Sequence, residues 1–358
     1  MTMYYSIADD IEKYPGAWCY AVVGGRNTGK TYGALTYHMD HNLKHVFVKR
    51  TNRDVGILCK GNKLGAKVGD WSIDFSPYKS VNRDRGSAIK AYELDDGIGA
   101  FYDTKEGAPT GSPVGYLLSL SSIVKYKGFD LSECFSIIFD EFIPRKGERI
   151  SRSEGDDLMD LYKTVSRDRS ERGLPELKLI LLANAVNIYN PTFDTLELTD
   201  VVADMQSKGE EVRFLENRGI LIRLLRTSEE MMQVESRTGI YRAMEGTAWA
   251  EMAFGNEFAY NDFSNIQNTS LKGYRCVAEI LYKRKPIYIY RSGEQYYLCR
   301  SRGHPRHQYD LSREMDIRAF YLDYVIDLLN ATTRGMCRYQ EYSYYDIIVN
   351  YKKRFDVK

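Results

Sequence analysis

The sequence predicts an α/β fold in which a mostly parallel central sheet occupies a larger N-terminal domain. A short helical linker and a smaller α+β domain follow. Three observations carry this expectation. The chain has 358 residues, room for two or three domains at roughly 100 to 200 residues each. Its first half alternates continuous apolar runs with helical patterns, as in a sheet covered on both faces. Beyond residue 275, three apolar runs stand so close together that only short hairpin turns can join them.

In chain order, residues 18–23 read as a buried strand, 30–42 as a helix and 45–48 as a second strand. Residues 88–94 lead into Asp95-Asp96-Gly97, a tight hairpin turn because Asp and Gly tolerate positive φ. Residues 114–120 and 134–139 are further strands. In 156–165 the side chains of Leu158, Leu161, Tyr162 and Val165 recur at helical spacing, so one face packs and the other is free. Residues 177–183 form another continuous apolar strand.

The pattern changes near residue 227, where Thr227-Ser228-Glu229-Glu230 is a capping box that opens a new helix. Residues 228–255 read as short helices broken at Gly239, Gly246 and Gly255. The predicted divisions are therefore 1–226, 227–255 and 256–358. In the last of these, strands at 276–282, 287–291 and 295–300 make an antiparallel meander. A helix with Ile317, Phe320, Tyr321, Tyr324 and Leu328 on one face comes after it.

Composition narrows the function classes. Hydrophobic residues at 43% and charged residues at 28% exclude wholesale disorder, collagen-like repeats and a coiled-coil rod. Fifty Lys+Arg against 49 Asp+Glu leave a net charge of +1, so any polyanion partner must be held by local patches. No uncharged apolar run approaches the ~18 to 20 residues of a membrane helix, and the first residues lack a signal-peptide pattern; the expectation is a cytoplasmic protein without a membrane partner. The six cysteines contain no C-x-x-C pair, which argues against zinc or a disulfide framework and for buried thiols.

The strongest chemical signal is Gly24-Gly25-Arg26-Asn27-Thr28-Gly29-Lys30-Thr31, a complete G-x-x-x-x-G-K-[ST] P-loop between a predicted strand and a predicted helix. Its glycines let successive backbone N–H groups and the helix N-terminus face a phosphate. Lys30 is then the cation for the β- and γ-phosphates of ATP, and Thr31 offers a hydroxyl to Mg²⁺. Arg26 stands where it can touch the γ-phosphate from the same subunit.

A P-loop needs a second metal-binding acid, and Asp140 ends an apolar strand at the expected place, followed by Glu141. Glu141 occupies the position of the carboxylate that deprotonates an attacking water, which favours hydrolysis over transfer to a metabolite. Asn184 closes the strand at 177–183, placing an amide near the γ-phosphate; a plain strand-ending turn residue is the competing reading. Arg167, Arg169 and Arg172 follow the helix at 156–165. A solvated helix end whose arginines suit the dipole explains them, and on these residues alone that reading prevails over an arginine finger.

Lys125 and Lys127, Lys283-Arg284-Lys285 and the stretch 300–307 are candidate polyanion contacts, although each is more simply an ordinary basic loop. No metal is assigned to His304 and His307. The C-terminal meander and helix are compatible with an RNase H-like nuclease. That chemistry needs clustered acids for two metals, and Glu279 is the lone acid in the first strand.

Four segments in order, GGRNTGKTYGAL, SIIFDEFIPRK, TVSRDRSER and LLANAVNIYNPTF, resemble the DNA-packaging ATPases, or encapsidation proteins, of small tailed phages with protein-primed linear genomes. RTGIYRAMEGTAWAEMAFGNEF extends the resemblance to residue 258. The resemblance implies an ASCE-type P-loop ATPase, five copies in a ring at the portal vertex, and Mg-ATP hydrolysis that drives double-stranded DNA into the procapsid in the host cytoplasm. It implies Walker B roles for Asp140 and Glu141 and makes Arg167 the preferred arginine finger, acting in trans. Lys127 takes a divided role, between subunits or near DNA. A C-terminal domain similar to RNase H-like nucleases, with its catalytic acids lost, would dock on the portal or connector, or on a packaging RNA. Two other readings remain open: a helicase-like ATPase or nucleotide kinase, and an assembly protein in which ATP only stabilises a ring.

Overall fold

A computed structural model describes residues 4–59, 75–126, 128–145, 147–148, 150–247, 258 and 261–357. The chain forms two compact units, Met1–Leu196 with Met205–Tyr260, and Glu197–Asp204 with Asn261–Lys358.

The first unit is built on nine strands: β1 (Cys19–Gly24), β2 (Lys44–Lys49), β3 (Ile89–Asp95), β4 (Ile98–Lys105), β5 (Ala108–Ser119), β6 (Cys134–Asp140), β7 (Lys178–Asn184), β8 (Val212–Leu215) and β9 (Ile220–Leu225). Their spatial order is β3-β4-β5-β2-β6-β7-β1-β9-β8. The run from β5 to β9 in that order pairs in parallel, and antiparallel hairpins close each edge. All six residues of β1 are buried, the signature of a strand covered on both faces. Tyr20, Val22, Phe47, Ile138, Ile180, Leu182 and Leu221 form the centre of the core.

The helices that bear on function are α1 (Ile7–Lys13), α2 (Lys30–Asp40), α3 (Asn52–Leu58), α4 (Lys79–Arg85) and α5 (Glu154–Val165). Thr51 and Asp54 form a reciprocal capping box that starts α3 immediately after β2. Ser228 accepts a hydrogen bond from the Met231 amide at 3.2 Å and opens the helix Glu229–Ser236.

Strand register aligns the carboxyl ends of the central strands. Gly24 of β1 pairs with Asn184 of β7, Leu182 of β7 with Asp140 of β6, and Phe139 of β6 with Val48 of β2. Loops leaving this edge meet in one place, where open α/β sheets bind ligands.

Two departures from the sequence reading have physical causes. Strand β5 begins at Ala108, six residues before the apolar run, because its Pro- and Gly-containing start pairs with β4 on one side, while β2 pairs with it only from Tyr116 onward. Proline is tolerated on such a half-free stretch. Strand β9 was hidden by Arg223 in its apolar run. That guanidinium is held by the fully buried Asp10, to which its Nε donates at 3.0 and 2.7 Å.

The second unit carries β10 (Arg275–Tyr282), β11 (Lys285–Ser292), β12 (Gln295–Cys299), β13 (His307–Asp310) and β14 (Cys337–Tyr339), in the order β13-β10-β11-β12-β14. The first three make the expected antiparallel meander; β13 and β14 add to its edges in parallel. The helix read from Ile317 to Leu328 is present as Glu314–Phe320 and Ile326–Thr333, joined through a π-helical segment. Phe320 and Leu328 pack with Ile280, Ile289 and Leu298. Lys283 (φ +49°) and Arg284 (φ +62°) form the two-residue β10–β11 turn. All six cysteines are free thiols, five of them buried and Cys276 half-buried.

Candidate functional site

The chain leaves β1 at Gly24 and turns through Gly25 to Gly29 before entering α2. Gly29 is the N-cap of α2 with φ +84°, a conformation that favours glycine. Asn27, at φ +60°, is the other left-handed residue of the loop, and Thr28 Oγ1 donates to the Gly25 carbonyl at 3.1 Å. The first N–H groups of α2 have no partner within the helix, so the loop carries a row of donors at the positive end of a helix dipole.

Lys30 is buried within this loop. Its Nζ donates to the Gly24 and Gly25 carbonyls at 3.1 and 2.6 Å, to Thr28 Oγ1 at 3.1 Å and to Asn184 Oδ1 at 3.4 Å. Every one of these acceptors is uncharged. Burial lowers the ammonium to about 8, with Asp140 partly opposing. A desolvated cation ringed by dipoles fits an anion that would complete it.

The acids stand at the end of β6, which β7 separates from β1. Thr31 Oγ1 donates to Asp140 Oδ1 at 2.9 Å, and Lys49, the last residue of β2, reaches Asp140 Oδ2 at 2.9 Å and Glu141 Oε2 at 3.5 Å. Glu141 leaves β6 in a left-handed conformation, φ +60°, and accepts from Arg145 Nη2 at 3.0 Å. Burial pushes its carboxyl up, yet Lys49 and Arg145 together hold it below the usual range. Burial likewise opposes the charge on Lys49, and the Asp140 and Glu141 carboxylates outweigh it. Arg50 fixes the turn, donating to the Glu141 and Phe142 carbonyls at 3.1 Å each, to Glu148 at 2.8 Å and to the buried Glu154 at the start of α5. A cavity of about 590 Å³ opens here, lined among others by Arg26, Lys49, Asp140, Glu141, Arg145 and Asn184.

The structure thus brings together Gly24 to Thr31, Asp140, Glu141 and Asn184. It separates the three arginines after α5. Arg169 is buried and donates to the Ser132 and Cys134 carbonyls at 2.7 Å each and to the Pro175 carbonyl at 2.8 Å. Arg172 donates to Ser132 Oγ at 2.7 Å. Arg167 is exposed and, among the described residues, makes no hydrogen bond or ion pair. Lys125 does not line the cavity and donates to the Asp96 carbonyl at 3.0 Å; Lys127 lies outside the described residues. Lys285 pairs with Glu197 at 2.7 Å.

Sequence reasoning missed Lys49, Arg50, Arg145 and Glu154. The signal was present: one apolar run ends in Lys49-Arg50 and another in Asp140-Glu141, complementary charges on strands that must share a sheet edge. Among the described residues no group of three His, Cys, Asp or Glu side chains is arranged for a metal. A hydroxyl and a carboxylate in contact, as at Thr31 and Asp140, are hard oxygen donors of the kind that share Mg²⁺ with substrate phosphates. Among the described residues no helix is long and apolar enough to cross a membrane.

Fold and site together define an α/β protein with a P-loop sequence at the carboxyl edge of a parallel sheet and paired acids on a nearby strand. The chain belongs to the family of podovirus DNA encapsidation proteins (Gp16), whose model matches residues 109–356. Two solved structures share the fold over nearly the whole length. One is a chain of the bacteriophage Phi-29 viral genome packaging motor assembly, with TM-score 0.62 and 17% identity, covering 99% of this chain and 100% of that one. The other is the Phi-28 gp11 DNA packaging motor, with TM-score 0.61 and 16% identity, covering 100% of this chain and 99% of that one. At such identities the likeness speaks to fold alone. No curated protein matches the chain.

Proposed function

We propose that the chain is the ATPase of a viral DNA-packaging motor, hydrolysing Mg-ATP to translocate double-stranded DNA into a procapsid. The observation that carries this reading is the buried Lys30 ammonium with its uncharged ring of acceptors, beside the hydrogen-bonded Thr31–Asp140 pair. Family membership and the packaging-motor structures that share the fold support it.

In this reading the first unit is an ASCE-type P-loop ATPase and the second an RNase H-like domain that docks on the portal or on a packaging RNA. The copies assemble as a ring, five in number by resemblance to the family, in the host cytoplasm at the procapsid vertex. Backbone N–H groups from Gly25 to Lys30 hold the β-phosphate, and Lys30 moves from its carbonyl partners onto the β- and γ-oxygens. Thr31 and Asp140 would hold Mg²⁺, which when bound neutralises phosphate charge and fixes the geometry of the leaving group. Glu141 takes a proton from the attacking water, for which Lys49 and Arg145 must loosen their hold on its carboxylate. Asn184 and Arg26 stand at the γ-phosphate, and Arg167 of a neighbouring copy completes the charge stabilisation.

The test is steady-state ATP hydrolysis by the purified protein with and without double-stranded DNA, beside Lys30→Ala. A DNA-stimulated rate abolished by the substitution supports the motor; ATP consumption that needs a small-molecule acceptor and ignores DNA points to a kinase. Glu141→Gln separates the scaffold reading, since a motor loses turnover while still binding ATP and a scaffold keeps its function.

A further inference from the structure

The N-terminal segment Tyr4–Ser6 is seated on the P-loop. The Tyr5 amide donates to the Thr28 carbonyl at 2.9 Å. A side chain built on Gly29 would meet Tyr4 Cβ at 2.9 Å and its ring Cδ1 at 3.4 Å, and one built on Gly33 would strike the Tyr5 carbonyl at 2.6 Å. Both glycines of this helix face are therefore occupied by the segment.

The segment is anchored on its far side. Tyr5 OH donates to Asp10 Oδ2 at 2.7 Å, Asp10 is fully buried, and Arg223 of β9 grips the same carboxylate. Ser6 caps α1 by accepting from the Ala8 amide at 3.3 Å. Packing at Gly29 and this buried ion pair fix the backbone at Tyr4, yet the Tyr4 side chain is 49% exposed. Among the described residues its hydroxyl has no hydrogen bond. A large aromatic ring, packed along one edge on Gly29 and half uncovered beside the loop, is what a nucleobase needs for stacking.

Charge decides which way a bound nucleotide would point. The cavity beyond Lys30 is lined by Lys49, Asp140, Glu141 and Arg145 beside Ile57, Leu58, Ile143 and Val186, and the acid pair marks the place of the terminal phosphate and its attacking water. The base lies at the other end of the triphosphate from the acid pair, and Tyr4 packs on Gly29, the N-cap of α2. We infer that Tyr4 is the platform on which the base of a nucleoside triphosphate stacks, setting affinity for nucleotide over bare polyphosphate. The inference rests on the P-loop reading proposed above.

The experiment compares binding of ADP and of inorganic tripolyphosphate to the full chain, to Tyr4→Ala and Tyr4→Phe, and to Lys30→Ala. Loss of a stacking partner weakens a base by roughly tenfold or more. The expected result is that Tyr4→Ala weakens ADP by about that factor and leaves tripolyphosphate unchanged, while Tyr4→Phe binds both as the parent does. In a Tyr4→Trp variant, ADP should quench the indole fluorescence and tripolyphosphate should not. The inference is overturned if Tyr4→Ala binds ADP normally, or if it loses ADP and tripolyphosphate equally, which would make the residue a prop for the loop. Binding of neither ligand by the parent chain, or equal binding by Lys30→Ala, would sink the P-loop reading itself.

Discussion

Lys30 sits in a conflict that a bound phosphate would resolve. Its ammonium is buried among carbonyls and lowered to about 8, whereas an anion in the loop favours the charged form. Binding must therefore take up a proton wherever the free lysine has lost one. Affinity for ADP is expected to be flat below pH 8 and to fall above it, by about tenfold for each further pH unit. Calorimetric titrations at pH 7 and pH 9 in buffers of different ionisation enthalpy check both the fall and the proton uptake; equal affinity at the two values would refute it. Folding shows the opposite sign: the folded value lies below the unfolded one, so the cost of burying the charge is complete below pH 8 and fades as pH rises toward 10.5. Much of this site was legible in the sequence, because the P-loop and the strand-ending Asp140 and Glu141 are local signals. Arg167 was not separable from Arg169 there, since the difference between them is three carbonyls brought from residues 132, 134 and 175.

Elements carry their own record of what a sequence can and cannot state. The buried strands β1, β6 and β7 are visible as continuous apolar runs because both of their faces are covered. Strand β9 escaped because a charge inside it is satisfied by a residue more than two hundred positions away. The β10–β11 hairpin is the clearest local violation. A two-residue turn with both φ values positive suits Asn-Gly, yet Lys283 and Arg284 hold it. Left-handed backbone costs an ordinary residue about 1–2 kcal/mol. Arg284→Gly is therefore expected to stabilise the second unit by about 1 kcal/mol, seen as a higher denaturation midpoint of the full chain, while Arg284→Ala should give no such gain. A lower midpoint for the glycine variant would show that the arginine side chain contributes more than its backbone strain removes.

For the whole molecule, the net charge of +1 suits the proposed translocation, which needs DNA phosphates released as readily as they are gripped, because each neutralised phosphate tightens binding and steepens its salt dependence. The proposed completion of each site by a neighbouring copy makes a sharper prediction. Arg167→Ala and Glu141→Gln should each abolish DNA-stimulated hydrolysis alone. Mixed in equal amounts they should recover it, because about a quarter of the contacts would join an intact acid pair to an intact arginine. No recovery on mixing would assign Arg167 to its own subunit or to no catalytic role.

The anchoring of Arg169 has a mechanical consequence. Strand β6 starts at Cys134, whose carbonyl Arg169 holds, and ends at Asp140, which Thr31 and Lys49 hold. One strand seven residues long is thus clamped at both ends, by the arginine loop at one and by the P-loop at the other. Strand β6 therefore joins, through one buried element, the loop that displays Arg167 to the acid pair, anchored two residues from Arg167 at one end and at Asp140 itself at the other.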